Sequence, residues 1–345
     1  QRPQKARIHL RRPDHLLRDD ASVRHGERPS RHLLAAGVSQ IAAQSALTVW
    51  GSVDAELSLL SDANNAIYRA QQSDRASVLR VHRPNQKSRR WIETELRLLT
   101  HLHAAGLNVP HPLRGVIEVA SEDGTPRLCT LLSWVGGAPK PAPDWYALIA
   151  TQAGTLLGQI QAAARNFDLT PGLDRPRLDA ETLFSQSTQY ALDEQGQALL
   201  APHADIFARV QAQSAAAFEG LQGLGVSPQI VHGDYRPDNL LWNRLTPAAV
   251  DFDDCAWGSP AYDMATLWLF LRPNRRYQPL KIYAARAWCE SAGVEESPAL
   301  LAHIDSLVSA RIALSCRWVA GNRNHPALAS RAADIIAERM ATLIP

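Results

Sequence analysis

The chain has 345 residues, 46% of them hydrophobic and 20% charged, with a formal net charge of +2. That length fits one large domain or two lobes around a sizeable core, and a charge so near balance gives no argument for nucleic-acid binding. Four scattered cysteines (Cys129, Cys255, Cys289, Cys316) show neither zinc spacing nor a disulfide framework, so free thiols in a cytoplasmic protein are expected.

Residues 1–32 hold nine Arg or Lys and four acidic residues among few large apolar groups, and read as a disordered basic tail. Residues 33–53 carry no charge. Ser39, Gln40, Gln44 and Ser45, with Gly37 and Gly51, interrupt them too often for a membrane span, so a soluble helix over 39–50 is expected and no membrane association. Strands follow at 56–60 and 66–70 about a turn at 61–65, and a third at 77–82. Residues 91–105 have helical apolar spacing (Trp91, Leu96, Leu98, Leu99, Leu102) and stop at Gly106. Residues 112–119 and 127–134 form a hairpin around a turn at 122–124. The Gly- and Pro-rich stretch 136–143 is the best hinge in the chain. It separates a first lobe, 33–135, from a second, 136–345.

Past the hinge, Asp144 is placed to cap a helix over 145–164, a polar loop spans 165–179, and helices follow at 180–194 and 204–222. The C-terminal third is helical at 261–271, 280–292, 298–319 and 327–343. Trp268, Phe270, Trp288 and Trp318 read as core. Arg311 and Arg317 share one helix but point about 120° apart, so one of them at most faces a given site.

The most informative stretch is 232–263. It opens His-Gly-Asp-Tyr-Arg-Pro-Asp-Asn (232–239), a loop broken by Gly233 and Pro237. Short apolar runs at 240–242 and 248–250 suggest a β-hairpin that holds Asp234, Asn239 and Asp251 close together. That trio suits transfer of the γ-phosphoryl group of ATP. Asp234 can orient an acceptor hydroxyl and take its proton, while Asn239 and Asp251 offer hard oxygens to Mg²⁺. The loop alone is weak evidence; the following strand and Asp-x-Asp make coincidence much rarer.

These residues, with Val78-Leu-Arg-Val-His-Arg-Pro84 and the run after Asp251, resemble the aminoglycoside phosphotransferase and choline kinase superfamily, small relatives of protein kinases. The bacterial stress-response kinase and homoserine kinase-like branches look closest. The resemblance covers about residues 40–330 and says little about substrate. It implies an α+β, bilobal, protein-kinase-like fold with a small antiparallel-sheet lobe and a mostly helical lobe. It implies that adenine bonds main chain near Leu132 and Trp134, and that Asn64 and Asn65 stand in for a glycine-rich phosphate loop. Arg80 would replace the phosphate-binding lysine, paired with Glu95 (Glu93 in reserve). Asp253 either joins a second Mg²⁺ or caps the next turn. Arg236 stands where Ser/Thr kinases place a lysine near the γ-phosphate. His232 would brace the loop, and Asp263 would bond the loop backbone.

The expectation is therefore a Mg-ATP-dependent kinase acting on a small-molecule hydroxyl acceptor. Two alternatives stand beside it: a protein Ser/Thr kinase of the stress-response type, and a nucleotide-binding pseudokinase.

Overall fold

The structure is a computed structural model that describes residues 32–62, 65–121, 123–168, 174–186, 191–325 and 328–343. The first lobe comprises helix α1 (His32–Val49), strands β1 (Glu56–Asp62), β2 (Ala66–Gln72) and β3 (Arg75–Val81), helix α2 (Arg89–Ala104), and strands β4 (Pro112–Val119) and β5 (Arg127–Ser133). The strands form one antiparallel sheet in the order β1-β2-β3-β5-β4.

Alternation along these strands sorts their side chains by face. Leu79, Val81, Tyr68, Cys129 and Leu131 bury against Ala42, Ala43, Ala46 and Leu47 of α1. Arg80, between Leu79 and Val81, therefore points to the other face, where α2 lies. The Ser88 side chain accepts a hydrogen bond from the Trp91 amide and caps α2. Ile92, Leu96, Leu98, Leu99 and Leu102 bury one side of that helix, and Gly106, at φ 82°, ends it.

The second lobe comprises β6 (Ala138–Pro139), α3 (Ala147–Ala164), β7 (Arg177–Leu178), α4 (Ala180–Phe184), α5 (Glu194–Leu200), α6 (Ala204–Gly223), β8 (Gln229–Val231), β9 (Leu240–Asn243), β10 (Thr246–Ala249), β11 (Ala256–Gly258), α7 (Pro260–Leu271), α8 (Tyr277–Ala292), α9 (Pro298–Gly321) and α10 (Ala332–Ala341). Trp268, Trp288, Tyr235 and Tyr262 fill its core, which continues through Leu96, Leu99 and Leu132 into the first lobe. Among the described residues α9 is long and apolar enough to cross a membrane; half of its apolar window is buried inside the fold.

The stretch read as a hinge is held to the second lobe. β6 pairs with β9, and Gly137, at φ 133°, packs so closely on the Trp242 backbone that a Cβ would come within 3.0 Å of it.

Four local expectations need correction. Asp144 ends a short 3-10 turn and caps nothing; α3 starts three residues later at Ala147, with no side-chain cap. The helix expected over 180–194 breaks after Phe184, and a separate helix starts behind Asp193, whose carboxylate accepts from the Gly196 amide. The last helix begins at Ala332, not at 327. Trp318 is 41% exposed and so is not core, whereas Trp268 and Trp288 are fully buried.

Candidate active site

The 232–239 loop is held from behind. Asp263 on α7 accepts from the amides of His232 (2.9 Å) and Gly233 (2.8 Å). Gly233 sits at φ 83°, and a Cβ there would strike the Asp254 carbonyl, so the loop and the turn after Asp251 touch at a position only glycine fits. His232 packs on Phe252, its Nε2 lying 3.0 Å from the Val250 carbonyl. The imidazole thus braces the loop against the strand end that carries Asp251. The Val250 amide donates to the Asn239 carbonyl at 2.9 Å, which sets Asn239 beside Asp251.

Asp234 lies at the mouth of this loop, its side chain 15% exposed. Asn239 Nδ2 donates to its Oδ2 (3.1 Å) and to its main-chain carbonyl (2.9 Å). Two arginines flank the carboxylate: Arg311 donates to Oδ1 at 2.8 Å, and Arg236 Nε lies 3.1 Å from Oδ2. Burial disfavours the Asp234 charge, but Arg236 and Arg311 outweigh it and hold the pKa below the ordinary carboxylate value. Asp234 is therefore anionic at neutral pH. The Arg236 guanidinium also lies over Phe270, 5.3 Å from the ring centre.

Across the cleft, Arg80 reaches three carboxylates. Its Nη1 is 2.8 Å from Glu95 Oε1 and 3.6 Å from Asp253 Oδ1, and its Nη2 is 3.3 Å from Asp251 Oδ1. Burial alone would lower the Arg80 pKa, but Glu95, Asp253 and Asp251 raise it. Glu95 is buried, whereas Glu93 lies at the surface beside Arg89. Asp251 has a left-handed backbone (φ 64°), and half of its side chain is open to the cleft. Partial loss of water within the cleft and the neighbouring Asp253, Asp254 and Glu95 charges, opposed by Arg80, push its pKa up to about 6.

The other expected residues fall into two groups. Asn65 spends its amide on protein: Nδ2 donates to Asp253 Oδ2 at 3.0 Å, and Oδ1 accepts from the Arg83 amide at 3.4 Å. Leu132 is buried at the end of β5, and Trp134 just beyond it is 38% exposed beneath the Arg69 guanidinium. Asn64 lies outside the described residues.

Two cations escaped the sequence reading, and a third, Arg311, was left there as one of two candidates. Lys87, in the loop before α2, lies 2.6 Å from Asp253 Oδ2 and 3.1 Å from Asp254 Oδ1, tying the first lobe to the turn after Asp251. Arg175 donates to the carbonyls of Asp253, Cys255 and Trp91 and clamps the same turn from the second lobe. Arg311, one of two helix arginines of which one at most was expected to face a given site, is the one that reaches Asp234. None of the three belongs to a local motif; each meets its partner across more than 70 positions of chain.

The donor set suits a divalent cation. Asp251 carries a carboxylate whose charge is disfavoured by its acidic neighbours, the kind of charge a cation relieves. Asn239 commits its amide nitrogen to Asp234, so its side-chain oxygen is the atom that would face a cation. Among the described residues no three His, Cys, Asp or Glu side chains converge into a cage.

Known proteins resemble this chain in sequence and fold. The amicoumacin kinase of Bacillus subtilis (strain 168) is 22% identical over 237 residues, 66% of each chain, so the match spans about two thirds of that relative's length. A solved amicoumacin kinase, hAmiN, in complex with AMP-PNP, Ca²⁺ and Ami superposes with a TM-score of 0.69 at 15% identity, covering 91% of this chain and 96% of that one. A microcompartment-associated aminopropanol kinase superposes with a TM-score of 0.64 at 25% identity, covering 88% and 96%. The architecture, a small antiparallel sheet joined to a helical lobe, is thus the protein-kinase-like one expected from the sequence. The APH model, which describes the phosphotransferase enzyme family, matches residues 56–300, well over half of the chain, and with the fold and the residues above it shows that the chain belongs to that family.

Proposed function

We propose that the protein transfers the γ-phosphoryl group of ATP to a hydroxyl of a small molecule, with Mg²⁺ as cofactor and the cytoplasm as its compartment. The carrying observation is one arrangement: Asp234 and Asn239 on a loop pinned by Asp263, with Asp251 beside them and Arg80–Glu95 across the cleft. The solved relative bound to AMP-PNP and Ca²⁺ supports a nucleotide and a divalent cation, and the amicoumacin and aminopropanol kinases support a small-molecule acceptor. The four buried free cysteines suit a reducing compartment.

In this reading adenine bonds main chain between Leu132 and Trp134, and Arg80, oriented by Glu95, holds the phosphates. Asn65, just ahead of β2, lies over them; its contact with Asp253 is one it exchanges for phosphate. Asn239 and Asp251 hold the cation, with Asp253 beside them. When bound, the cation draws negative charge off the phosphates and aligns them for in-line attack. Asp234 accepts a hydrogen bond from the acceptor hydroxyl and aims its oxygen at the γ-phosphorus. The new O–P bond forms as the β–γ bridging P–O bond breaks; ADP leaves, and the hydroxyl proton passes to Asp234. Arg236 lies where it can neutralise the moving phosphoryl group.

General-base assistance contributes about 10²–10⁴-fold in rate. Asp234→Asn is expected to lose that much in ADP release driven by a metabolite extract, while thermal-shift binding of Mg-ATP survives. A variant turning over at the wild-type rate would refute the role. One observation favours a second reading, a nucleotide-binding protein without transfer: both Asp234 oxygens are engaged by arginines. Its signature is Mg-ATP binding with no ADP release under any acceptor.

A further inference from the structure

The turn after Asp251 already holds a cation of its own, the Lys87 ammonium. We propose that Lys87 takes the place of a second divalent cation, so that the nucleotide is bound with a single one, held at Asp251 and Asn239; the inference rests on the phosphotransfer reading above.

A lysine ammonium has three N–H donors, and the structure supplies an oxygen for each. Lys87 Nζ lies 2.6 Å from Asp253 Oδ2, 3.1 Å from Asp254 Oδ1 and 2.5 Å from the Asp253 carbonyl oxygen. A compact positive charge ringed by carboxylate and carbonyl oxygens is the setting that a hard divalent cation asks for. The place of Lys87 is fixed by its surroundings. It directly precedes Ser88, which caps α2 by accepting from the Trp91 amide. Arg175 donates to the Trp91 carbonyl and also to the carbonyls of Asp253 and Cys255. Arg175 thereby ties the start of α2, and Lys87 with it, to the turn that carries Asp253.

Asp251 and Asp253 differ in what they offer a metal ion. The Asp251 side chain is 52% exposed and that of Asp253 9%. Asp253 Oδ2 accepts from Asn65 as well as from Lys87, and its Oδ1 lies 3.6 Å from Arg80 Nη1. A cation of the magnesium class dehydrates reluctantly and keeps several waters. At Asp253 it would have to displace the ammonium and bring its charge against Arg80, where little room is left for those waters. At Asp251 the open half of the carboxylate leaves that room. Asp253 therefore serves the cleft as the acid that docks the turn on the first lobe, through Asn65, Arg80 and Lys87, and not as a metal ligand.

The test counts Mn²⁺ by electron paramagnetic resonance. Full-length protein is mixed with a smaller amount of AMP-PNP, so that all nucleotide is bound, and titrated with Mn²⁺ against a nucleotide-free baseline. Wild type is expected to bind a single Mn²⁺ per bound nucleotide, without spin–spin broadening from a close neighbour. Lys87→Met removes the charge and keeps the bulk of the stem; it is expected to bind a second Mn²⁺, whose coupling to the first broadens the spectrum. Lys87→Arg keeps a positive charge and is expected to stay at a single ion. A merely structural role for Lys87 would move none of these counts. A second Mn²⁺ on wild type, or only a single ion on folded Lys87→Met, would overturn the inference and leave phosphotransfer standing. Should Lys87→Met not fold, the wild-type count decides by itself. No binding of AMP-PNP to wild type in the presence of Mn²⁺ would overturn both.

Discussion

At Asp251 the needs of the fold and of the chemistry pull apart. Its left-handed backbone is tolerable for Asp and Asn and unfavourable for most other residues. Its charge faces Asp253, Asp254 and Glu95, with Arg80 in partial compensation, and the carboxyl titrates near pH 6 instead of 3.8. A raised acid pKa means that the ligand-free protein loses stability as pH rises from about 3.8 to about 6, and the cost persists above that. Asp251→Asn keeps the backbone preference and removes the charge. The ligand-free variant is therefore expected to melt at a higher temperature than wild type at pH 7.5, while phosphate transfer falls below detection; a lower melting temperature would contradict this electrostatic account. Which residues of the cleft were legible in sequence follows from distance along the chain. Asp234, Asn239 and Asp251 fall within 18 positions on a loop and hairpin, so spacing alone gathers them. Arg80 and Glu95 lie 15 positions apart and needed the family resemblance to pair them. Lys87 meets Asp253 across 166 positions and Arg311 meets Asp234 across 77, distances over which no local pattern operates.

At the scale of elements, the second lobe depends on α3 and α8 lying almost backbone to backbone. A Cβ on Gly154 would come 2.1 Å from the Ala284 carbonyl oxygen, and one on Gly158 would meet Ser291 and the Trp288 carbonyl. Forcing atoms into such a contact costs about 1–3 kcal/mol, which outweighs the helix preference of about 1 kcal/mol that alanine holds over glycine. Gly154→Ala is expected to lower the urea midpoint, whereas Gly223→Ala, at the end of α6 with open space around its Cβ, leaves it unchanged or raises it. Equal midpoints for the two variants would mean that the helices separate at no cost. The apolar spacing in α2, α6 and α9 made those helices readable. The split into α4 and α5 was not: residues 180–194 keep a helical composition throughout, and the break is set by Asp193 capping a new start and by Arg317 holding the Phe184 and Ser185 carbonyls from α9. Asp144 misled for the converse reason, because a capping residue type stood at a helix-like boundary where the backbone makes a 3-10 turn instead.

At the scale of the molecule, stability and turnover meet in the pH response of the cleft between the lobes. His82, buried on β3, has its pKa driven down to about 3, first by burial and then by Arg80 and Lys87, with Asp253 opposing. A depressed histidine is neutral in the folded state and charges on unfolding, so its contribution is full above about pH 6.5 and is lost as pH falls toward 3. Asp251 works in the opposite direction below pH 6, so the histidine acts without that opposition only between about 6.5 and 6. For one proton the slope reaches about 1.4 kcal/mol per pH unit. In ligand-free protein His82→Gln is expected to lose less stability than wild type on acidification below about pH 6.5; parallel pH curves would show that His82 titrates alike in both states. The α+β, bilobal plan came from the family resemblance, while the strands themselves were legible from the alternation in β3 and β5. The pinning of the Gly- and Pro-rich stretch by β6 on β9 was not legible, because two residues of strand leave no periodicity to read. The central claim, transfer of a phosphoryl group to a small molecule by way of Asp234, is tested most directly with γ-labelled ATP and Mg²⁺. Wild type and Asp234→Asn are each offered a metabolite extract and, separately, a protein extract. The account predicts label in a small organic product with wild type and a loss of about 10²–10⁴-fold with the variant. Label confined to protein Ser or Thr, or released only as inorganic phosphate, or undiminished in Asp234→Asn, would contradict it.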